Sequence, residues 1–204
     1  MPSPRDRRDA FVRAAGLRDL GALVRLYRSQ LADGTPVRLD PFPFDRPRLV
    51  LLLFALLAIQ PGVGVLRRIA PGWATWVIVA GPNAARPPVG VGFVHQVRGP
   101  DGRWIGRTGL LVGAPHQRQG WGTAIKIAQL RLCRAQGIPR IQAFLSPENA
   151  GSARVNRGVG LAIRSPGPGD PSRDRPYLIA EGDVDAVLRA LDATASPADS
   201  VPPG

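Results

Sequence analysis

Cysteine and lysine are almost missing from this 204-residue chain: Cys133 is its only thiol and Lys126 its only lysine. A single cysteine excludes an intramolecular disulfide and any cysteine metal cluster. With only two histidines, His95 and His116, no metal site is expected either. Long apolar runs are scarce as well. The one that stands out, residues 49–59, holds eleven apolar residues and closes at Gln60-Pro61-Gly62, whereas a bilayer span needs roughly 20. No stable membrane span is therefore expected, and a helix at 48–59 that is buried or packs on a partner is the plainer reading. The first nine residues are charged and contain proline, with no apolar stretch behind them. That is not the pattern of a secretory signal, so a reducing cytoplasm is the expected location.

What the chain does have is apolar content of 44% with 21% charge, which excludes a mainly disordered polymer. The length fits one domain, expected at residues 10–192, between tails at 1–9 and 193–204 that are rich in small, polar and proline residues. Net charge is +12, and its placement is uneven. Residues 49–160 carry thirteen basic residues against two acids, Asp101 and Glu148. Such an excess fits nucleic acid, an anionic membrane or an anionic ligand. The basic residues are arginine in all but one case, beside 22 prolines and 24 glycines. That bias is what a GC-rich genome writes, so part of the charge carries no function. The arginines are also scattered among strands and helices, and Trp73, Trp76, Trp104 and Trp121 do not interleave with a basic run. No nucleic-acid partner is expected.

Periodicity orders the chain. A short strand at 11–14 precedes Leu20, Leu23, Val24, Tyr27 and Leu31 at helical spacing, and Asp33-Gly34-Thr35-Pro36 stops that helix. After a Pro-rich loop at 40–44 and the apolar helix, strands are expected at 75–79, 89–97 and 103–112. Gly99-Pro100-Asp101-Gly102 joins the last two as a hairpin. A helix then fills 120–136 with Gly137 as its stop. It is followed by a strand at 140–145, a short helix at 150–157, a loop at 165–176, a strand at 177–180 and a helix begun by Asp183. This is α+β: a central mixed, mostly antiparallel sheet flanked by helices.

The most specific segment runs from Leu110 to Ala124, a strand end, a turn and two glycines at the mouth of a helix. The first N–H groups of a helix lack intrahelical partners and sit at the positive end of its dipole, so they bind phosphate oxygens. Gly120 and Gly122 let a ligand approach the main chain, and Arg118 adds a full charge. A P-loop is excluded, because no Gly-Lys-Ser/Thr is present, and Gly90-Val91-Gly92 lies inside a strand pattern.

Gln117-x-x-Gly120-x-Gly122 after an apolar strand resembles the pyrophosphate loop of the GNAT superfamily of N-acetyltransferases. Asn149, Ser152, Asn156 and Gly160 stand in register with that superfamily's later signature, with Leu161 where phenylalanine is usual. The order of elements from about Phe11 to Ala180 is similar as well. The resemblance implies a GNAT-like fold and acetyl-CoA as co-substrate. Leu111, Val112 and Gly113 would meet the pantetheine arm and Gln117, Arg118, Gln119, Gly120, Trp121, Gly122 and Thr123 the pyrophosphate, while Asn149, Ser152 and Asn156 would line the other side of the arm. It also implies that the strands ending near Val112 and starting near Arg140 splay apart around the thioester.

The implied reaction moves an acetyl group to a primary amine of a small molecule or protein by direct attack on the thioester. The ammonium must first lose a proton, so a general base is needed. A backbone N–H near Val112 can polarise the carbonyl. Two departures stand out. Asn156 occupies the place of a tyrosine that many members use as general acid, and Arg107-Thr108-Gly109 stands where many have a glutamate. Glu148 and His95, with His116, are the titratable groups nearest the implied cleft. Arg154-Val155-Asn156-Arg157 is similar to the ribosomal-protein N-terminal acetyltransferase branch. Two other readings are an acetyl-CoA-binding domain without catalysis and, more distantly, a basic nucleic-acid-binding module. The apolar helix at 48–59 reads as either a neighbour of a hydrophobic acceptor or a homodimer contact.

Overall fold

The computed structural model describes residues 11–32, 38–39, 42–43, 74–171 and 176–195. The expected apolar helix at 48–59 and most of the Pro-rich loop lie outside them. β-branched residues alternating with small ones build the centre of the molecule, in β4 (Thr75–Gly81), β5 (Gly90–Arg98) and β6 (Trp104–Val112). The expected hairpin joins β5 to β6. Gly99 N–H donates to the Arg103 carbonyl at 2.8 Å, and Gly102 turns the chain at a φ of 74° that favours glycine. Ahead of these strands come β1 (Phe11–Ala14), a 3-10 turn at Leu17–Asp19, α1 (Leu20–Ala32) and the two-residue strands β2 (Arg38–Leu39) and β3 (Phe42–Pro43). After them come α2 (Trp121–Ala135), β7 (Arg140–Leu145), α3 (Ala150–Gly158), β8 (Ala162–Arg164), β9 (Leu178–Asp183) and α4 (Val184–Ala195).

Seven strands form one sheet in the order β1-β4-β5-β6-β7-β9-β8. Every neighbouring pair is antiparallel except β6 with β7. The sheet is mixed and mostly antiparallel, as the α+β expectation had it. Three differences are local. β2 and β3 pair antiparallel, Arg38 with Pro43 and Leu39 with Phe42, so a two-stranded ribbon stands where a Pro-rich loop is expected, because cross-strand pairing leaves no period in two residues. β8 is a strand of three residues where no strand is expected, because its pairing partner, β9, lies beyond the intervening loop. α4 extends to Ala195, into the segment expected as tail. Its start agrees with expectation, since the Asp183 carboxylate accepts from Ala186 N–H at 2.8 Å.

The two faces of the sheet carry different cores. Leu23 and Tyr27 of α1 pack on Val77, Val79, Val91, Phe93 and Leu111. A bidentate pair between Arg13 and the buried Asp19, both contacts at 2.7 Å, ties β1 to the entry of α1. On the opposite face α2 and α4 cover Val94, Ile141, Ala143, Leu145 and Ala180. α2 lies close to the sheet because β5 has glycine beneath it: a Cβ on Gly92 would stand 2.4 Å from Ile125 Cγ2 and 2.8 Å from Gln129 Nε2. The Gly90-x-Gly92 pair therefore serves helix packing. Gln129 completes the contact, its Nε2 donating to the carbonyls of Phe93 (2.9 Å) and Gly109 (2.7 Å).

Lys126 lies in this dry layer. It is 1% exposed, and its Nζ donates to Thr108 Oγ1 at 2.8 Å. Thr108 in turn donates to the Gln142 carbonyl at 3.1 Å. Burial disfavours the ammonium and pushes the amine from 10.5 down to about 7. The neighbouring Cys133 thiol is pushed up to about 12 by its own burial and stays neutral. Between about pH 7 and 10.5 the unfolded chain therefore binds more protons at this lysine than the folded one, so native stability rises with pH across that window and is lowest below it. The stability gap between the wild type and Lys126→Met should shift in favour of the wild type from pH 7 to pH 10, as read by thermal melting of both proteins. A gap that stays constant with pH contradicts an amine titrating in the core.

Candidate functional site

The parallel contact between β6 and β7 is short. Its register covers Ile105 with Arg140, Gly106 with Ile141 and Arg107 with Gln142. β6 then continues to Val112 and β7 to Leu145 with no ladder between them. At the apex, Thr108 reaches across to the Gln142 carbonyl. The alternation of an antiparallel ladder decides which main-chain groups face the opening. Gly113 N–H donates to the Val89 carbonyl at 2.9 Å, so the odd positions of β6 point their amides at β5 and Leu110 and Val112 point theirs towards β7. Of the three residues expected to meet a ligand arm through their main chain, Val112 is therefore oriented for it. Leu111 turns its main chain to β5 and its side chain to the α1 core. Gly113 has both main-chain groups engaged, the N–H with Val89 and the carbonyl with His116 N–H at 2.8 Å.

A turn at Ala114–His116 leads from β6 to the glycine-rich loop. Gln117 Nε2 donates to the Val112 carbonyl at 3.2 Å, and Gln119 Nε2 to the Pro115 carbonyl at 3.0 Å, so both side chains brace the loop from within. Arg118 has a φ of 55° and Gly120 one of 87°. Left-handed residues in such a loop turn successive N–H groups to one side, the arrangement that receives anions. Gly120 is the N-cap of α2, and no side chain caps the helix. The N-terminus of a fifteen-residue helix is thus presented with its dipole unmasked beside the exposed Arg118.

α3 closes the other side. A Cβ on Gly122 would stand 3.1 Å from Val155 Cγ2. The missing side chain therefore lets α3 pack against the first turn of α2, a role that the sequence alone assigned to ligand approach. Asn149 caps α3, accepting from Ser152 N–H at 2.8 Å. Asn156 is 1% exposed and donates Nδ2 to the Ser152 carbonyl at 2.8 Å, while its Oδ1 is buried without a partner. A buried carbonyl oxygen left unpaired is costly, so a donor brought to it, from a water or a bound group, would be stabilising.

On the α1 face of the sheet, register aligns a row of polar residues across five strands. Thr75 of β4 stands opposite His95 of β5, His95 opposite Arg107 of β6, Arg107 opposite Gln142 of β7, and Gln142 opposite Glu181 of β9. Directly opposed residues share a face. Thr75 Oγ1 and His95 Nδ1 are hydrogen-bonded at 2.7 Å. Burial, and then the charge of Arg107, hold the half-buried imidazole below its usual value, so it is neutral at pH 7. At the far end Glu181 is well supplied, with Arg164 Nε at 2.7 Å, Gln142 Nε2 at 3.3 Å and Arg140 at 3.7 Å. Glu148, by contrast, is exposed in the turn before α3, away from this row, and His116 lies in the turn after β6. Apart from His95, sequence reading missed the row, since its members are spread from residue 75 to 181 and only register joins them.

Among the described residues no helix is long and apolar enough to cross a membrane. The family model described as an acetyltransferase (GNAT) domain matches residues 62–162. A search of the curated proteins gives no match. Among solved structures, yncA, a putative acetyltransferase from Salmonella typhimurium with its cofactor acetyl-CoA, superposes with a TM-score of 0.63 at 18% identity, over 86% of this chain and 94% of that one. Mycobacterium smegmatis RimJ in complex with CoA-disulfide gives 0.61 at 18% identity, over 90% and 88%. The ribosomal-protein-S5-alanine acetyltransferase from Vibrio fischeri gives 0.62 at 15% identity, over 86% and 97%. At such identities the likeness is one of fold.

Proposed function

We propose, from the match of residues 62–162 to the acetyltransferase (GNAT) domain model, that the chain transfers the acetyl group of acetyl-CoA to a primary amine. The observation that carries the cofactor reading is the conjunction at the splay. Val112 faces the unpaired side of β6, the α2 N-terminus is uncapped, and Asn156 Oδ1 is a buried acceptor in want of a donor. Those three features suit a ligand with amides along one part and phosphates at the other. Acetyl-CoA, when bound, supplies an activated acetyl group: the amine nitrogen forms the new C–N bond, the C–S bond breaks, and the proton lost by the amine ends on the departing sulfur.

The chain's own residues divide the remaining tasks. Gly120, Trp121, Gly122 and Thr123, with Arg118, receive the phosphates at the start of α2. Val112 holds the arm through its main chain, and an N–H on this side of β6 polarises the acetyl carbonyl. Asn156 accepts from the arm on the α3 side, where Asn149 and Ser152 shape the turn. Asparagine cannot give up a proton, so Asn156 binds rather than acts as the general acid. His95 is the better-placed base of the two expected, being neutral at pH 7 and in the polar row beside the splay, whereas Glu148 is exposed in a turn. The acceptor is a small molecule or a protein amine.

Arg118 gives a clean test because its left-handed φ suits glycine. Arg118→Gly should keep the melting temperature while weakening acetyl-CoA binding about fivefold in calorimetry, the effect of about 1 kcal/mol from one exposed ion pair with a phosphate. Unchanged affinity would remove this loop from the phosphate site. For the base, His95→Gln should lower kcat in a thiol-release assay with little change in acetyl-CoA affinity. In the wild type, the acid limb of the pH profile should lie below the ordinary imidazole value of 6.5. A variant that retains both kcat and that limb would assign the base elsewhere.

A further inference from the structure

We propose that the acceptor is an anionic amine, a small molecule with a carboxylate near its amino group, and that Arg107 is the residue that reads the carboxylate. The proposal rests on the acetyltransferase reading above and names the substrate class of that site. Arg107 is the last residue of β6 to pair with β7, so it stands at the mouth of the splay on the α1 face. Its guanidinium lies 5.2 Å from the ring centroid of Phe144, a residue of β7 past the last pair, and therefore leans across the opening. Phe144 is held in turn by an edge contact with Tyr177, with centroids 5.5 Å apart. The cation is thus positioned against an aromatic ring at the mouth of the opening.

The neighbouring charges favour the same ligand. Arg140 and Arg164 in the same region are each paired with carboxylates, at 3.5 and 3.7 Å for the first and 2.6 and 2.7 Å for the second. Arg107 pairs with no carboxylate among the described residues, and its Nε is buried without a hydrogen-bond partner. Glu181, the one acid of the row, is already held by Arg164, Arg140 and Gln142. A half-buried guanidinium without a paired carboxylate costs free energy that a bound carboxylate recovers, and a bidentate pair gives direction as well as attraction. The neighbour on the other side, His95, is neutral and kept so partly by this charge. A carboxylate on Arg107 would offset that charge where the amine must be deprotonated.

The test uses the full chain with acetyl-CoA and thiol release as the readout. The acceptors are the common amino acids, each beside its own carboxamide, together with short peptides with neutral amino-terminal residues. At least one free acid should exceed its carboxamide by about tenfold or more in kcat/KM. In Arg107→Gln that preference should vanish while acetyl-CoA affinity, measured by calorimetry, stays at the wild-type value. Arg107→Lys should restore part of the preference, since it keeps the charge and loses the fork. Equal use of acids and amides by the wild type, turnover of neutral peptides with no turnover of free acids, or a preference that survives in Arg107→Gln overturns the acceptor class alone, whereas acetyl-CoA binding with no turnover of any acceptor overturns both the acceptor class and the transferase reading in favour of a binding domain. Absence of acetyl-CoA binding overturns the acetyltransferase reading and this proposal with it.

Discussion

The three-pair contact between β6 and β7 is the constraint on which the site depends. It is the one parallel junction in the sheet, and it ends at Arg107 and Gln142 while both strands run on. Main-chain groups past that point lie in the middle of a sheet without a neighbouring strand, a state that folded proteins rarely leave unsatisfied. Thr108 closes the apex with its hydroxyl, and Lys126 supports Thr108 from the core behind it. The lysine, poorly suited to a dry interior, thus belongs to the same local arrangement as the splay. The proposed ligand arm, with amides of its own, would complete the interrupted ladder.

Around that opening the helices are placed by absences of side chain as much as by apolar contact. Gly92 lets α2 settle on β5, and Gly122 lets α3 settle on α2. The uncapped start of α2 and the buried Asn156 of α3 are thereby brought close together. Moving either helix outward by the width of a methyl group would separate the phosphate loop from the arm-binding side. The site is therefore as sensitive to packing glycines as to polar groups.

Local signals made most of the fold legible. The hairpin at 99–102, the Gly137 stop, the Asp183 cap and the strand at 140–145 all rest on residues close in sequence, and the structure has them where expected. β8 was hidden because three residues have no period of their own. In the site, the loop from Gln117 to Thr123 and the start of α3 were visible as motifs. Their roles were only partly so: Gln117, Gln119, Asn149 and Gly122 turn out to brace or pack. The polar row from Thr75 to Glu181 was illegible, because strand register is a tertiary property. Lys126 carried one readable sign, a lone lysine between Ile125 and Ile127, but its partner on β6 did not. Among the described residues the basic excess between 49 and 160 divides by position: Arg118 stands in the glycine-rich loop, Arg107 at the mouth of the splay, Lys126 in the core, Arg140 in ion pairs, and Arg86, Arg98, Arg103, Arg131, Arg134, Arg154 and Arg157 on the surface.

Amide hydrogen exchange with and without acetyl-CoA tests the central claim most directly, because it reads the main-chain groups on which the site is built. The amides of Leu110 and Val112, of Gln119 to Thr123 and of the first turn of α3 should exchange more slowly with the ligand, while those of Leu111 and Gly113, already bonded towards β5, should change little. Protection spread evenly over the sheet, or absent from Val112 and the start of α2, would contradict a ligand seated between β6 and β7.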